Sequence, residues 1–238
     1  MDYNEHMKTK AVIFGNNPKE AEEIVRNAGF DIVKEAKDKP DVIITFGGDG
    51  TIVLSEFHFP GIPKLTLKSS RVCNLCEPYE NEDVLKKYMQ GKYTVKKIHK
   101  IEATVNGKTL HAMNEIILHN IDPRRAIRYH MKINGEQIPK HEIIGDGAII
   151  SNPFGSTGYY RSITGSVFKV GMGVAFNNST EQSDHMVLDE KDVVTISITR
   201  GPGLLYADNQ EDSIHVNDGD EIVVHMSKNA AHLVRVTP

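Results

Sequence analysis

"VIITFGGDGTIVLSEF", residues 42–57, sets a run of strand-forming residues directly against Gly47-Gly48-Asp49-Gly50 and resumes an apolar pattern from Ile52. A strand that runs into glycines marks a place where backbone comes close to something else. Glycine tolerates unusual φ/ψ and has no side chain to obstruct a ligand. The pattern around this stretch repeats the same step. Upstream, Ala11-Val12-Ile13-Phe14 is a short apolar run and Asn16-Asn17-Pro18 a turn and helix start. Ala21, Ile24, Val25 and Ala28 then recur at helical spacing until Gly29 stops the helix. Pro40 precedes the second strand, Val42 to Phe46, and a helix is expected to begin near Thr51. Downstream, a helix with Asn81 as its cap carries Val84, Leu85, Tyr88 and Met89 on one face before Gly91. Strand and helix in alternation predict an α/β domain with a parallel sheet over residues 1–97.

From about residue 93 the punctuation changes. Asn106-Gly107 follows Ile101-Glu102-Ala103-Thr104-Val105, and Asn134-Gly135 follows Tyr129-His130-Met131-Lys132-Ile133. Asn-Gly supplies the positive φ angles of a tight hairpin turn, so both are hairpin signals. Residues 193–198, 221–226 and 232–236 alternate in the same way. Residues 98–238 therefore read as a β-rich, mainly antiparallel and sandwich-like domain, with the last strand a candidate to return to the first domain. No internal repeat or low-complexity linker marks the boundary, which rests on the change of pattern.

The 238 residues are enough for one large domain or two modest ones. Hydrophobic residues at 39% and charged residues at 25% are ordinary for a folded globular chain. A net charge of -4 without a basic stripe argues against nucleic acid as a partner. No apolar run reaches the roughly 18 residues of a membrane span, and the first ten residues lack the apolar core of a signal peptide. A cytoplasmic protein with no membrane partner is expected. Its two cysteines, in Cys73-Asn74-Leu75-Cys76, lack the second pair that a structural zinc site requires. Two reduced thiols are the favoured reading, with a redox pair the minority one.

The chemistry gathers around glycines and carboxylates. In an open α/β sheet, ligands collect at the carboxyl ends of strands, where Asp49 sits. The backbone N–H groups of Gly47, Gly48 and Gly50, with a helix start at Thr51, suit phosphate oxygens. Asp49 itself suits a proton or Mg²⁺ rather than phosphate. Alone, Gly47–Gly50 reads equally well as a turn. Three further features favour a site: Gly145-Asp146-Gly147; the hydroxyl-rich stretch from Ser151 to Gly165; and Asn114-Glu115 interrupting an apolar strand pattern. Together they offer carboxylates and amides to sugar hydroxyls, a tyrosine to a base and glycines to phosphates.

At these residues the sequence resembles the NAD kinase family, which phosphorylates the adenosine-side ribose 2′-hydroxyl of NAD to give NADP. The match runs in order: GGDGT at 47–51, NE at 114–115, GDG at 145–147 and NPFGSTGY at 152–159, where the family usually has TPTGSTAY. GGDG alone is shared with diacylglycerol and sphingosine kinases; the later motifs point to the NAD-binding branch. The resemblance implies catalysis in a cleft between a GGDG domain and a β-rich NAD-binding domain. Asp49 would be the catalytic base or orienter, with Gly47, Gly48, Gly50 and Thr51 binding the nucleotide phosphates. Asn114 and Glu115 would bind ribose hydroxyls, and Asp146 the nicotinamide side. Thr157, Gly158 and Tyr159 would bind the nucleoside, with Ser162 as a neighbouring polar contact. Ala207-Asp208-Asn209-Gln210 resembles the family's DGQ element. Mg²⁺ or another divalent cation, ATP or polyphosphate as donor, and a homo-oligomer, dimer or tetramer, are implied with it.

Phosphoryl transfer asks mainly for positioning and charge neutralisation, so the absence of a Walker G-x-x-x-x-G-K-[ST] motif is no obstacle. Two departures stand out. Residues 63–76 keep neither the glycines nor the Gly-Phe-Leu of the family's GxNxGxLGFL-like loop, which predicts a different substrate cover. Asn152, Phe154, Ile163 and Thr164 are larger than the usual residues close to the expected nucleoside, which predicts an altered substrate choice. A kinase with another nucleoside or lipid acceptor, and a non-catalytic NAD(P)-binding protein, are the alternative readings. Other signals carry less. His141-Glu142 starts an H-E-x-x-H pattern that Gly145 breaks, Gly171-Met172-Gly173 lacks the third glycine of a dinucleotide fingerprint, and no G-x-S-x-G elbow occurs.

Overall fold

The computed structural model describes residues 8–71, 73–180 and 185–237. These fall into two compact units: one runs to Ile98 and takes back the chain from Ala231, and the other is His99–Ala230.

The first unit is an α/β domain. Its elements are β1 (Lys10–Gly15), α1 (Lys19–Asn27), β2 (Asp31–Ile32), β3 (Val42–Gly47), α2 (Asp49–His58), β4 (Lys64–Lys68) and α3 (Asn81–Met89). The strands lie in the order β2-β1-β3-β4 and pair in parallel, and Leu233 pairs with Lys64 in the same sense. Val42 to Phe46 are all buried, as a strand covered on both faces requires. Val42, Ile44 and Phe46 pack with Ala21 and Val25 of α1 and Val84 and Leu85 of α3. The strand order reverses between β1 and β3, so the end of β3 is the switch point at which an open sheet offers its ligand site.

Two local expectations change. The helix after the glycines starts at Asp49, with Gly48 as its cap, and not near Thr51. Asn81 is the first residue of α3 and not its cap; Glu80 takes that position. The Asn81 amide instead bonds both backbone groups of Lys68, accepting from N at 2.8 Å and donating to O at 3.0 Å, which fastens the helix start to β4.

The second unit is all but entirely strand. It holds the end of β5 (Tyr93–Val105), β6 (Lys108–Ala112), β7 (Glu115–Asn120), β8 (Ile127–Ile133), β9 (Glu136–Gln137), β10 (Ile143–Gly145) and β11 (Gly147–Ser151). A 3-10 turn (Gly155–Thr157) and α4 (Tyr159–Thr164) lead to β12 (Met172–Asn177), β13 (Met186–Leu188), β14 (Val194–Arg200), β15 (Gly203–Ala207), β16 (Ser213–Val216) and the part of β17 (Glu221–Val236) that precedes Ala231. Both Asn-Gly turns have the two positive φ angles expected of them, 51° and 72° at Asn106-Gly107 and 51° and 87° at Asn134-Gly135. Along β8, Ile127, Tyr129, Met131 and Ile133 are buried and their neighbours are not. Ile127, Tyr129 and Met131 face a common core with Ile116 and Leu118 of β7 and Ala148 and Ile150 of β11. The latter strands belong to a sheet in the order β13-β12-β11-β7-β15-β16, antiparallel throughout. The Tyr129 hydroxyl donates to the Gly147 carbonyl at 2.9 Å, tying the two layers of the sandwich. Gly147 has φ +146°, and a Cβ there would lie 1.9 Å from the Leu118 oxygen, so only glycine fits. Among the described residues no helix is long and apolar enough to cross a membrane.

Candidate active site

In the first unit the strand-to-helix turn presents Asp49 on the first turn of α2. A Cβ on Gly47 would lie 2.2 Å from the Thr51 hydroxyl, so the turn closes only around glycine there. The Asp49 carboxylate is gripped by the loop that follows β4. Its Oδ1 accepts from Leu75 N at 2.9 Å, and its Oδ2 from Asn74 N at 3.2 Å and Asn74 Nδ2 at 2.9 Å. The expectation of reduced thiols is overturned: Cys73 and Cys76 are joined in a disulfide. The spacing places their Cα atoms 5.4 Å apart, within bridging range. Cys73 Sγ lies 3.3 Å from Asp49 Oδ1 and, as half of a disulfide, has no S–H to donate.

In the second unit the turn between β6 and β7 carries Asn114 and Glu115. Asp208, at the end of β15, takes three successive backbone N–H groups of this turn: Met113 at 2.6 Å, Asn114 at 2.8 Å and Glu115 at 3.0 Å. Asn152 holds the turn from the other side. Its amide donates to Met113 O at 2.8 Å and its oxygen accepts from Gly155 N at 2.8 Å. Asn152 is 1% exposed and spends its polar atoms on backbone. Gly155 lies flat against Asn114, where a Cβ would meet Asn114 O at 2.5 Å.

Glu115 is buried, and its Oε2 has no hydrogen-bond partner among the described residues. Burial, with the Asp208 charge adding to it, pushes its carboxyl up to about 8. Asp208 is raised only to about 6, because its burial is opposed by the three backbone N–H groups and by Lys100. Both carboxyls are thus held above the ordinary carboxylate range, and of the two it is Asp208 whose charged form the surrounding donors favour. Tyr206 is raised too, by burial and then by Tyr159 and Glu115.

Of the other expected residues, Gly158 adjoins this centre. The position of a Cβ on Gly158 is 3.5 Å from Glu115 Oε2, so glycine there leaves the carboxyl uncovered. Tyr159, half-buried, accepts from Asn177 Nδ2 at 3.1 Å. Asp146 accepts from Asn120 Nδ2 at 2.8 Å and Asn178 Nδ2 at 3.0 Å, and its own N–H donates to Asn177 O at 2.9 Å. Thr157 and Ser162 are exposed, and the Ser162 hydroxyl folds back on Tyr159 O at 2.7 Å.

A profile of the ATP-NAD kinase C-terminal domain matches residues 113–236, over half of the chain. The chain belongs to the NAD kinase family. The NAD kinase of Methanothermobacter thermautotrophicus is 27% identical over 210 residues, covering 83% of this chain and 72% of that one. That of Natranaerobius thermophilus is 29% identical over 213 residues, covering 82% and 73%. Among solved structures, an NAD kinase from Archaeoglobus fulgidus in complex with ATP is similar in fold, with TM-score 0.75 at 20% identity, 94% of this chain and 92% of that one. A yeast NADH kinase complexed with NADH has TM-score 0.83 at 18% identity, covering 97% and 84%.

Seen as an NAD kinase, the chain has supports that the motifs alone do not reveal. Asn120 and the loop amides of Asn74 and Leu75 stand behind the motif residues. Their signal in the sequence is weak, since each acts by hydrogen bonding to groups far away in the chain. Asp208 had a signal, the DGQ-like element, but no role attached to it.

Proposed function

We propose that this chain transfers the terminal phosphoryl group of ATP to the 2′-hydroxyl of the adenosine ribose of NAD, giving NADP, with Asp49 as the group that orients and deprotonates the hydroxyl. The observation that carries the assignment of Asp49 is its place: a carboxylate at the carboxyl end of β3, at the sheet's switch point, aimed by a glycine turn and by the N–H groups of Asn74 and Leu75. The exposed Asn74 amide on Oδ2 is the contact that an incoming hydroxyl would replace. Gly47, Gly48, Gly50 and Thr51 line the phosphates. Asn114 and Glu115 bind the ribose, Asp146 the nicotinamide side, and Thr157, Gly158 and Tyr159 the nucleoside, with Ser162 beside them.

Mg²⁺ fits as a companion of the nucleotide. Among the described residues no three carboxylate, imidazole or thiol side chains are grouped as a metal cage. Mg²⁺ is commonly held by one or two carboxylates together with substrate phosphates, and Asp49 is the carboxylate available for that share. When bound, the cation neutralises phosphate charge during transfer. Polyphosphate is a second donor that the same chemistry admits. The cytosol, where NAD and ATP are plentiful, is the proposed location. A homo-oligomer is proposed on the strength of β13, a sheet edge with Val187 48% exposed.

The test is NADP formation by the purified protein from NAD and MgATP, beside Asp49→Asn. Product is expected from the parent, and a loss of roughly 10²–10⁴-fold in kcat from the variant. An inert parent that still binds NAD would overturn the kinase reading in favour of a binding-only protein.

A further inference from the structure

Asp208 lies outside every motif residue to which a role has been given, yet its environment is the most constrained around the ribose-binding turn. It is 7% exposed. It stands at φ +50°, a left-handed conformation that Asp and Asn adopt more readily than other non-glycine residues. Its own N–H donates to Glu115 O at 2.9 Å, and its carboxylate accepts from Met113, Asn114 and Glu115, so backbone and side chain grip the same turn. Three N–H donors and the nearby Lys100 satisfy this carboxylate, whereas the adjacent Glu115 Oε2 has no partner among the described residues.

We propose that Asp208 is a positioning residue for substrate: by clasping the N–H groups of Met113, Asn114 and Glu115 it fixes the turn that presents Asn114 and leaves the Glu115 carboxyl facing the ribose. The consequence is chemical as well as geometric. A carboxylate so well supplied with donors keeps the negative charge of the pair, and the proton stays on Glu115. The ribose then meets a carboxylic acid, which donates a hydrogen bond to a sugar oxygen, and not a second acceptor. The titratable group that acts on Glu115 is Asp208; Glu115 in turn raises Tyr206, as does Tyr159, and Lys100 acts on Asp208. This inference rests on the NAD kinase reading.

The experiment compares the wild type, Asp208→Asn, Glu115→Gln and Gln210→Ala for NADP formation and, separately, for equilibrium NAD binding by calorimetry across pH. Gln210 donates to His111 O nearby at 2.8 Å without touching the clasped turn, and its variant controls for local damage. Asp208→Asn keeps the size and one acceptor oxygen but loses the charge. Its KM and Kd for NAD are expected to rise about tenfold or more, with kcat changed much less, because bonds to a buried charged acceptor are lost. The pH at which NAD binding falls off on the alkaline side should move down in Asp208→Asn, since the neighbouring charge no longer holds the proton on Glu115. It should vanish in Glu115→Gln, and Gln210→Ala should follow the wild type. Wild-type KM and an unmoved alkaline limb in Asp208→Asn would overturn the proposal while leaving the kinase reading intact. A wild type without turnover would instead remove the kinase reading, and the binding data would still decide the role of Asp208. Should Asp208→Asn fail to fold, amide exchange on the wild type replaces it. The Met113, Asn114 and Glu115 amides share one acceptor and should exchange together and gain protection with NAD; independent exchange would overturn the clasp.

Discussion

Replacing Glu115 with Gln is expected to abolish a pH dependence of stability that this one buried carboxyl imposes. Burial first, and the Asp208 charge second, raise it from 4.5 to about 8. The folded chain therefore keeps a proton that the unfolded chain surrenders. The stabilisation is complete below the unfolded pKa and is lost as pH rises through the folded one. At ~1.4 kcal/mol per pKa unit, a displacement from 4.5 to about 8 is on the order of 5 kcal/mol. Asp208 adds a limb of the same sign at lower pH, from 3.8 to about 6, so the informative quantity is the difference between the two proteins and not the slope of either. Gln matches the protonated carboxyl in size and in having a donor. The proteins should be about equally stable near pH 5, and the variant more stable by several kcal/mol near pH 9. Urea unfolding followed by far-UV circular dichroism suits a chain without tryptophan. Curves that stay parallel over this range would refute the reasoning, because they would mean that Glu115 ionises as easily folded as unfolded.

Three further outcomes are expected. Lys64 and Glu56 form an ion pair with side chains 1% and 4% exposed, so Lys64→Ala should cost about 3–5 kcal/mol by stranding a buried charge, and Lys64→Met with Glu56→Leu should recover much of it in urea unfolding. Gly155→Ala drives a Cβ to within 2.5 Å of Asn114 O, which should cost about 1–3 kcal/mol and raise the KM for NAD, read by unfolding and by initial rates. Reducing the Cys73–Cys76 disulfide with dithiothreitol should lower stability by about 2 kcal/mol for so short a loop, with no response in Cys73→Ser/Cys76→Ser.

The parts of the fold legible in the sequence were those whose causes are local. Val42 to Gly47 announce a buried parallel strand because every residue of the run is apolar or small, and Asn106-Gly107 and Asn134-Gly135 announce hairpins because few other pairs accept two positive φ angles. The motif residues of the second unit were legible through their resemblance to a family. What escaped is held at long range. The Asp208 carboxylate reaches amides more than ninety positions earlier, and the Asn81 amide leaves its helix cap for a strand thirteen residues back. No local window of sequence contains both partners of the Asp208 bonds. The disulfide escaped for another reason: C-x-x-C reads the same for two thiols, a redox pair or half of a metal site, and only the backbone path between the cysteines separates them.

The two ends of the proposed machinery also differ in how much sequence change they can absorb, and the cause is which partner brings the side chain. Asp49 takes two of its three hydrogen bonds from the backbone of Asn74 and Leu75. Every residue except proline carries that N–H, so a loop can lose the glycines usual in the family, gain two cysteines and still orient the carboxylate. The arrangement fails only if the path of the loop changes, and the disulfide restricts that path. Around Glu115 the roles are reversed. There the backbone donates three N–H groups in a row and the buried side chain of Asp208 must accept them all. Asparagine would turn an amide toward one of the donors, and alanine would leave all three unsatisfied. Sequence divergence is therefore cheap over residues 73–76 and expensive at position 208, although both hold another group in place by hydrogen bonds.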